Sequence, residues 1–330
     1  MTMQSRMSIP ALLAAAAVSL NVTAAASAQD SYPNKPVRMI ASQSAGGLSD
    51  VFVRALVVDL APALGTTMFV ENHSGADGSI GAKTCADAKP DGYTICILNG
   101  ESMVINPLIY KNMNLDPFKD LAPVTRLFYL TQVFAVTADL KVKTLNELGA
   151  LARSKPKTFT YTAPSLAKVA FMEDFNKKQG TDFVRVPFKG GGDATTSMLN
   201  GTTPISILGI ANVLQFLRSG QFVGLAVDGD KRSPLMPDIP TFKEQGFSVG
   251  TMVASFAIHA PAGTPAPIID KLNKAIVQVA SKPEFQDKYM IQRGMVPVLD
   301  TPEQFAKQLQ IDKVEGHDVV VGSGLYPEVK

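Results

Sequence analysis

The chain has 330 residues, of which 46% are hydrophobic and 18% charged, and its formal net charge is +2 at pH 7. A charge so close to zero argues against a nucleic-acid partner, because nucleic acids are bound by strongly basic surfaces. The length suffices for two domains of ordinary size, and the expected partner is a small molecule.

The first residues have the pattern of a secretory signal. Arg6 precedes an apolar stretch from Ile9 to Leu20, and small residues follow up to Ala28. The stretch is shorter than the roughly 20 apolar residues that a membrane-spanning helix needs. The pattern therefore predicts a signal peptide over 1–28, cleaved after Ala28, and an exported mature chain.

From Pro36 onward, apolar runs of strand length alternate with amphipathic stretches of helix length. Strands are predicted at 37–40, 67–70, 93–98, 133–137, 159–162, 183–187, 205–208, 223–227 and 255–259. Helices are predicted at 51–64, up to about 88 after the second strand, and at 145–154, 167–179, 194–200, 213–218, 268–280 and 302–310. Repeated strand-then-helix units predict the α/β class, with mainly parallel sheets covered by helices.

Two glycine-rich turns, over 44–50 and 72–81, each follow a predicted strand and precede a predicted helix. Backbone N–H groups at the start of a helix have no partner within the helix and attract anions. Neighbouring parallel strands end at the same sheet edge, so the two turns would form one cradle for a carboxylate. The alternative interpretation is that glycine serves the backbone geometry of the turns alone.

A third glycine segment, over 188–194, also follows a strand and precedes a helix. Lys189 in this segment would face a ligand or would be a solvated loop charge, and the sequence leaves both interpretations open.

Signals of catalysis are weak. The chain contains no Gly-x-Ser-x-Gly elbow, no phosphate-binding loop and no complete dinucleotide motif. Of the three histidines, His259 follows an apolar strand and His317 is close to the end of the chain, which leaves His73 in a glycine turn as the one candidate base. We predict that the chain is not an enzyme, with no catalytic residue, no cofactor and no metal site. The alternative is an exported enzyme that acts on a carboxylated substrate, with His73 as the base and Lys189 as its electrostatic partner.

Cys85 and Cys96 are the two cysteines. An exported protein would allow them to form a disulfide, and a helix packed on the next strand would bring them into range. Two buried free thiols fit the sequence equally well.

Several motifs occur together along the chain. Besides the three glycine segments, they are Lys89-Pro90-Asp91-Gly92-Tyr93-Thr94, Asn106-Pro107, Leu121-Ala122-Pro123-Val124, Lys231-Arg232-Ser233-Pro234 and Ala260-Pro261-Ala262-Gly263-Thr264-Pro265. In this order the motifs resemble the Bug-type periplasmic substrate receptors of tripartite tricarboxylate transporters, across the whole mature chain.

The resemblance implies a two-lobed periplasmic binding protein of type II-like architecture, whose lobes are joined by two crossovers. The first lobe would comprise 29–125 and 251–330, and the second 126–250. The implied partners are a small organic carboxylate and the membrane permease subunits of a transporter, and a monomer in the periplasm is expected. A receptor that signals to a membrane sensor would have the same sequence features.

The resemblance also implies ligand-binding residues. The family's two first-lobe glycine turns hold a ligand carboxylate, and they match Ala45, Gly46, Gly47 and Ser49, then Ala76, Asp77, Gly78 and Ser79. Ser44 stands where the family usually has a proline-rich entry to the first turn, and it adds a polar side chain at the edge of the cradle. On the second lobe we expect the ligand to meet Ser165, Phe188, Lys189, Gly190, Leu208 and Asn212.

One departure from the family pattern concerns the ligand. Many members have an Asp-Asn pair where this chain has Leu208-Gly209, so an amino-acid ligand is disfavoured. Apolar residues at the distal end, namely Phe188, Leu208 and Phe171, favour an aromatic carboxylate of the phthalate or terephthalate type, whose second carboxylate would meet Ser165, Lys189 or Asn212. The alternatives are an aliphatic di- or tricarboxylate, and apolar residues that merely fill the core.

Overall fold

The structure is a computed structural model, and it describes residues 32–46, 48–110, 113–163, 165–186, 191–229, 231–247 and 254–324. The predicted signal peptide and its cleavage site lie outside the described residues, and so do Gly47, Phe188, Lys189 and Gly190 among the expected ligand-binding residues.

The strands are β1 (Val37–Ala41), β2 (Met68–Asn72), β3 (Thr94–Asn99), β4 (Leu121–Leu130), β5 (Gln132–Thr137), β6 (Thr160–Thr162), β7 (Val184–Arg185), β8 (Ile205–Gly209), β9 (Phe222–Val227), β10 (Ala254–Pro261) and β11 (Met295–Pro297). The α-helices are α1 (Leu48–Leu64), α2 (Ser79–Ala86), α3 (Gly100–Val104), α4 (Asn106–Ile109), α5 (Pro117–Asp120), α6 (Leu145–Ser154), α7 (Leu166–Gln179), α8 (Gly191–Leu199), α9 (Ile210–Arg218), α10 (Ala266–Ala280), α11 (Pro283–Tyr289) and α12 (Pro302–Ser323).

The strands form two sheets. One has six strands in the order β11-β4-β10-β3-β1-β2, and the other has five in the order β7-β6-β8-β5-β9. The first sheet therefore combines strands from both ends of the described chain, whereas the second is built from its middle. This arrangement confirms the predicted two-lobed α/β class.

Both sheets are mixed, so the expectation of mainly parallel sheets is wrong. In the first sheet β1 pairs in parallel with β2 and β3, but β10 runs antiparallel to β3 and β4. In the second sheet β5 runs antiparallel to both β8 and β9. The antiparallel pairs involve β4, β5 and β10, the strands nearest the passages between the sheets. Because the chain crosses to the second sheet after β4 and returns with β10, these strands run opposite to their neighbours.

The first passage between the sheets is short. Strand β4 ends at Leu130 in the first sheet and β5 begins at Gln132 in the second. The chain re-enters the first sheet with β10 at Ala254. The chain thus leaves the first sheet at Leu130, whereas Thr125 lies inside β4. The lobe limits at 125 and 250 stay a prediction.

Each sheet has its own hydrophobic core. In the first, Phe52, Leu56 and Leu60 recur at helical spacing along α1 and are fully buried against the sheet, which explains why this segment is helical. In the second, Phe134 on β5 contacts the rings of Phe171 and Phe175 on α7. Such burial contributes about 1.5–3 kcal/mol for each large apolar side chain.

A disulfide joins α2 to the neighbouring strand of the first sheet. Cys85 on α2 and Cys96 on β3 are bonded, with their Cα atoms 6.1 Å apart. The structure thereby decides between the two alternatives that the sequence left open for this pair. The bond fixes the helix that follows the second glycine turn.

Candidate functional site

A cavity of about 280 Å³ lies between the two sheets. The segments that follow β1 and β3 line it from the first sheet, together with the start of β10 and Arg293-Gly294. The start of α7 and the β8–α9 junction line it from the second sheet. The passage Leu130–Gln132 forms the wall where the sheets meet.

The passage is held by backbone hydrogen bonds from three directions. The Thr131 N–H donates to the carbonyl of Gly294 at 2.9 Å, and the Thr131 carbonyl accepts from the N–H of Ile210 at 2.9 Å. The Gln132 N–H donates to the Asp228 carboxylate at 2.7 Å. These bonds connect the passage after β4 to the residue before β11, to the β8–α9 junction and to the residue after β9.

The first glycine turn is folded around its own carboxylate. The Gly46 N–H donates to Oδ2 of Asp50 at 2.9 Å, and the Asn72 side-chain amide donates to Oδ1 at 2.8 Å. Arg54 contacts the same carboxylate through Nε at 3.0 Å. Asp50 is buried, which by itself raises its pKa, but the hydrogen bonds from Arg54, Asn72 and Gly46 hold that pKa below its usual range. One of the backbone donors expected for a ligand is therefore used internally.

The second glycine turn has unusual backbone geometry. Residues Gly75, Ala76, Asp77 and Gly78 all have positive φ, and only glycine adopts this region without strain. Side-chain amides hold the turn: Asn99 donates to the Asp77 carbonyl at 3.2 Å, and the buried Asn106 donates to the Ala76 carbonyl at 3.3 Å.

The N–H groups that follow in this turn are also used internally. The Gly78 N–H donates to the Gly75 carbonyl at 3.0 Å, and the Ser79 N–H donates to the Ala76 carbonyl. Asn106 additionally donates to Oγ of Ser79 at 2.8 Å. Asn106, from the motif Asn106-Pro107, therefore supports this turn through its side chain.

The two turns are neighbours, as the sequence predicts. Strands β1 and β2 pair in parallel, and Ala41 lies opposite Asn72 at their carboxyl ends. The Asn72 side chain donates to the Gln43 carbonyl at 3.0 Å. A Cβ on Gly78 would lie 3.2 Å from Nε2 of Gln43, so the turns touch through this side chain.

From the second sheet, helix α7 presents polar side chains to the cavity. Ser165 occupies the N-cap position but its side chain makes no capping bond. Its buried Oγ lies beside the Glu101 carboxylate, and their interaction lowers the pKa of that carboxyl. Lys168, one turn further on, also lines the cavity although only 7% of its surface is exposed. An ammonium so far from water requires an anionic neighbour.

Charged groups around Lys168 come from both sheets. Glu101, at the start of α3, lines the cavity, and Asp228 lies behind Gln132. Burial lowers the pKa of Lys168, while Glu101 and Asp228 oppose this effect. Burial raises the pKa of Glu101, which Lys168 opposes, and burial raises the pKa of Asp228 to about 7. Arg293 is a second cation in the lining, and its Nε has no partner among the described residues.

The expected ligand-binding residues fall into three groups. Ser165, Leu208 and Asn212 line the cavity. Gly47, Phe188, Lys189 and Gly190 lie outside the described residues. The remaining residues, all of them described, lie in the two turns but do not line the cavity, which the first turn reaches through Leu48 and which the adjacent Gln43 and Asn99 also line. These remaining residues are Ser44, Ala45, Gly46, Ser49, Ala76, Asp77, Gly78 and Ser79.

One ligand contact inferred from the sequence is wrong. Phe171, expected near the distal end of the ligand, is buried in the core of the second sheet, where its ring lies 5.1 Å from that of Phe242. Helix α7 presents Lys168 to the cavity and Phe171, three residues on, to the core.

Sequence reasoning missed the charged groups of the cavity, Glu101, Lys168 and Arg293. Lys168 carried a usable signal, because it follows an N-cap serine at the start of a helix. Glu101 and Arg293 had none, since each lies in a polar stretch typical of a solvated surface.

Two further observations concern metal binding and membrane-spanning helices. Within the described ranges, no group of three or more His, Cys, Asp or Glu residues could hold a metal ion. No helix among those the structure describes is long and apolar enough to cross a membrane.

Two α/β units around a polar cavity define the class of two-lobed solute-binding proteins. A model of the tripartite tricarboxylate transporter family receptor, TctC, matches residues 52–322. A UPF0065 protein of Bordetella bronchiseptica is 32% identical over 96% of this chain and 93% of its own length. BugT of Bordetella pertussis is 30% identical over 83% of this chain and 85% of its own.

Solved structures agree. A chain described as a periplasmic transporter superposes with a TM-score of 0.76 at 31% identity, over 88% of this chain and 97% of its own. An R. palustris protein solved with adipate gives a TM-score of 0.78 at 25% identity, over 89% and 98%. The chain belongs to the tripartite tricarboxylate transporter receptor family, whose members are periplasmic solute-binding receptors and not enzymes.

Proposed function

We propose that this receptor captures an organic carboxylate in the cavity between its two sheets and delivers it to the membrane permease of a tripartite transporter. The ligand we favour has an aromatic body, as terephthalate and phthalate do. We place the ligand among Ser165, Leu208 and Asn212 on the second sheet and the two glycine turns on the first.

The observation that carries this proposal is the buried ammonium of Lys168 in the cavity. It is 7% exposed, and burial opposes its charge. A carboxylate bound beside it would make a charge-assisted hydrogen bond in a site shielded from water, where such bonds are strong. The Ser165 hydroxyl, which lies beside the Glu101 carboxylate, is the second polar group that α7 presents to the cavity.

The apolar part of the lining supports an aromatic body. Leu48 and Phe256 come from the first sheet and Leu208 and Ile210 from the second, so both sides of the lining include apolar surface. A volume of about 280 Å³ falls near the lower end of ligand pockets, roughly 300–1,000 Å³. A flat acid with one ring suits such a space better than a hydrated polyol.

Binding is expected to change the relative position of the lobes. A ligand that contacts both sheets favours the arrangement in which both sets of contacts form, and this shifts the population towards closure. Small-angle scattering with and without ligand tests this step. Unchanged dimensions at saturating ligand would reject it.

A thermal-shift screen tests the ligand class, because a ligand that binds only the folded state raises the melting temperature by mass action. Benzoate, phthalate and terephthalate are compared with succinate, adipate and citrate at matched concentration. Stabilisation by an aromatic acid supports the proposal. Stabilisation by a tricarboxylate with no response to any aromatic acid would overturn the aromatic assignment and leave the receptor class unaffected.

The second candidate is an aliphatic dicarboxylate. It is favoured by the R. palustris relative that was solved with adipate. The same screen separates the two candidates.

A further inference from the structure

We propose that the Glu101 carboxylate and the carboxylate of the ligand compete for one subsite, so that a ligand binds only by displacing Glu101. The subsite consists of the Ser165 hydroxyl and the Lys168 ammonium at the start of α7. The inference rests on the carboxylate site proposed above, and it adds that a side chain of the receptor itself limits how tightly that site binds.

The position of Glu101 follows from the packing of the short helix that carries it. Helix α3 begins at Gly100, where a Cβ would lie 2.6 Å from Oγ of Ser255 on β10. At the other end of α3, the side chain of Val104 would collide with a Cβ on Gly316 of α12. Both ends of α3 are therefore packed closely against the first sheet's own elements, and between them Glu101 lines the cavity.

The start of α7 meets Glu101 from the second sheet. Ser165 and Lys168, one turn apart, line the same cavity. Oγ of Ser165 is buried beside the Glu101 carboxylate, and the ammonium of Lys168, a residue only 7% exposed, attracts it. Helix α12 contacts both α3 and α7, which keeps the two elements next to each other. The Glu101 carboxylate thus lies where a ligand carboxylate would find its hydrogen-bond donor and its counter-ion.

The charges around Lys168 favour exchange over addition. Asp228 also interacts with Lys168, and Asp77 in the second glycine turn faces Glu101. A ligand carboxylate added to those of Glu101 and Asp228 would crowd like charges around one ammonium where water is scarce, which is costly. Replacement of Glu101 leaves the balance of charge unchanged. Arg293 lines the cavity too, but among the described residues the cation that acts on Glu101 is Lys168.

Glu101 has a route out of the subsite. The residue is partly exposed, so its carboxylate reaches water without a new protein partner. Burial raises the pKa of Glu101, which means that its charge gains hydration when the side chain leaves the cavity. Lys168 keeps an anionic neighbour throughout, first Glu101 and then the ligand, and Asp228 supports its charge in both arrangements.

Competition within the receptor lowers the apparent affinity. The ligand finds the subsite free only in the fraction of molecules in which Glu101 has left it. Removal of the Glu101 carboxylate therefore raises the affinity, which is the opposite of the effect of losing a ligand contact.

Isothermal titration calorimetry with terephthalate and adipate tests the inference. The proteins are the wild type, Glu101→Gln, Glu101→Asp, and Glu315→Gln as a control at an exposed position on α12. We expect Glu101→Gln to bind about 10-fold more tightly than the wild type, because a neutral amide is a weaker partner for Lys168. Glu315→Gln is expected to keep the wild-type affinity.

The aspartate variant separates displacement from repulsion at a distance. Glu101→Asp keeps the negative charge, but its side chain is one methylene shorter and is expected to lose its contact with Ser165. If Glu101 competes by occupying the subsite, Glu101→Asp also binds more tightly, by about 3-fold or more. If Glu101 merely repelled the ligand, Glu101→Asp would keep the wild-type affinity.

The outcomes separate this inference from the proposed function. Equal or weaker binding by Glu101→Gln, with the melting temperature of the wild type, overturns the inference and leaves the carboxylate receptor intact. A gain in Glu101→Gln without a gain in Glu101→Asp also overturns it. If Glu101→Gln fails to fold, Glu101→Asp decides alone, since a gain in affinity cannot arise from a loss of structure. No binding of either acid to any of the proteins contradicts the inference and the proposed ligand class together.

Discussion

The two sides of the cavity differ in how they use their polar groups. On the first sheet, the glycine turns use several of their own donors, since Gly46 binds Asp50 and Gly78 binds Gly75, while Arg293 has an Nε without a partner among the described residues. On the second sheet, Lys168 carries a charge that burial opposes. The groups that remain for a ligand are therefore charged side chains, whereas part of the backbone donors of the turns is already used. Glycine turns alone therefore do not identify the groups that recognise the ligand.

Replacing Lys168 tests this contrast most directly. Lys168→Met is expected to weaken binding of the best carboxylate by about 30- to 1,000-fold, since a buried charge–charge contact is worth about 2–4 kcal/mol. Titration calorimetry measures the loss. Lys178→Met changes an exposed lysine on the same helix, paired with Asp174, and is expected to leave affinity unchanged. Equal affinity in Lys168→Met and the wild type would place recognition on the first side instead.

A second test examines the rigidity of the first side. A Cβ on Gly81 would lie 2.7 Å from Cα of Ser42 and 3.0 Å from the His73 carbonyl oxygen, both of them backbone atoms. Gly81→Ala is therefore expected to lower the free energy of unfolding by about 1–3 kcal/mol, measured by urea unfolding. Gly322→Ala is the control, because a Cβ there meets no atom within 4 Å. Equal stability of the two variants would mean that the backbone around Gly81 accommodates the added methyl group at little cost.

A third test separates the acid sensitivity of the first sheet from that of the cavity. His259 on β10 is buried, and burial lowers its pKa from 6.5 to about 3. The unfolded chain then takes up a proton below about pH 6.5 that the folded chain refuses, so stability is full above that pH and falls as the solution is acidified.

Between pH 7 and pH 5 the contribution of His259 is a loss of about 1–2 kcal/mol, whereas Asp228, whose pKa burial raises to about 7, contributes a gain over the same range. Urea unfolding at both pH values measures the net change, and His259→Leu is expected to shift it by about 1–2 kcal/mol in favour of the folded state. His317→Leu alters an exposed histidine and should keep the wild-type change. An identical change in His259→Leu and the wild type would contradict the role of His259.

The smallest expected effect concerns the first glycine turn. Asp50→Asn keeps an oxygen for the Gly46 N–H but removes the charge that Arg54 contacts, at a cost of about 1 kcal/mol. The wild-type contribution is present above the unfolded pKa and is lost as the pH falls below it, because the folded pKa is lowered. Urea unfolding at neutral pH measures it, with Asp59→Asn on the same helix as the control. A large loss of ligand affinity in Asp50→Asn would mean that the first turn contacts the ligand itself.

Much of the fold was predictable because it depends on local periodicity. Helix α6 occupies the predicted 145–154, and β1, β2 and β3 lie where apolar runs of strand length indicate them. Strand β4 was missed, although it is the longest strand of the first sheet, because its first residues, Leu-Ala-Pro-Val-Thr-Arg, lack alternation and include a proline at the third position. Its antiparallel partner β10 lies more than a hundred residues away, and no local pattern contains that pairing.

The candidate site was predictable to a lesser degree. Leu208 lies near the end of a strand at the expected sheet edge, Asn212 follows that strand, and Ser165 precedes a helix, so their positions along the chain indicated them. Glu101 and Arg293 are ordinary charged residues in the sequence. Their place in one cavity results from the passage at Thr131, which brings the two sheets together.

The sequence by itself determined most of the strands and longer helices, the adjacency of the two glycine turns and the class of the fold, because these follow from periodicity, turn chemistry and the pairing of successive parallel units. Only the tertiary structure decided that Asp50 occupies the first turn, that the cysteines are bonded, and that Glu101 meets Lys168 across the cavity. These contacts join residues distant in the chain, and their energies depend on burial that no local stretch of sequence specifies.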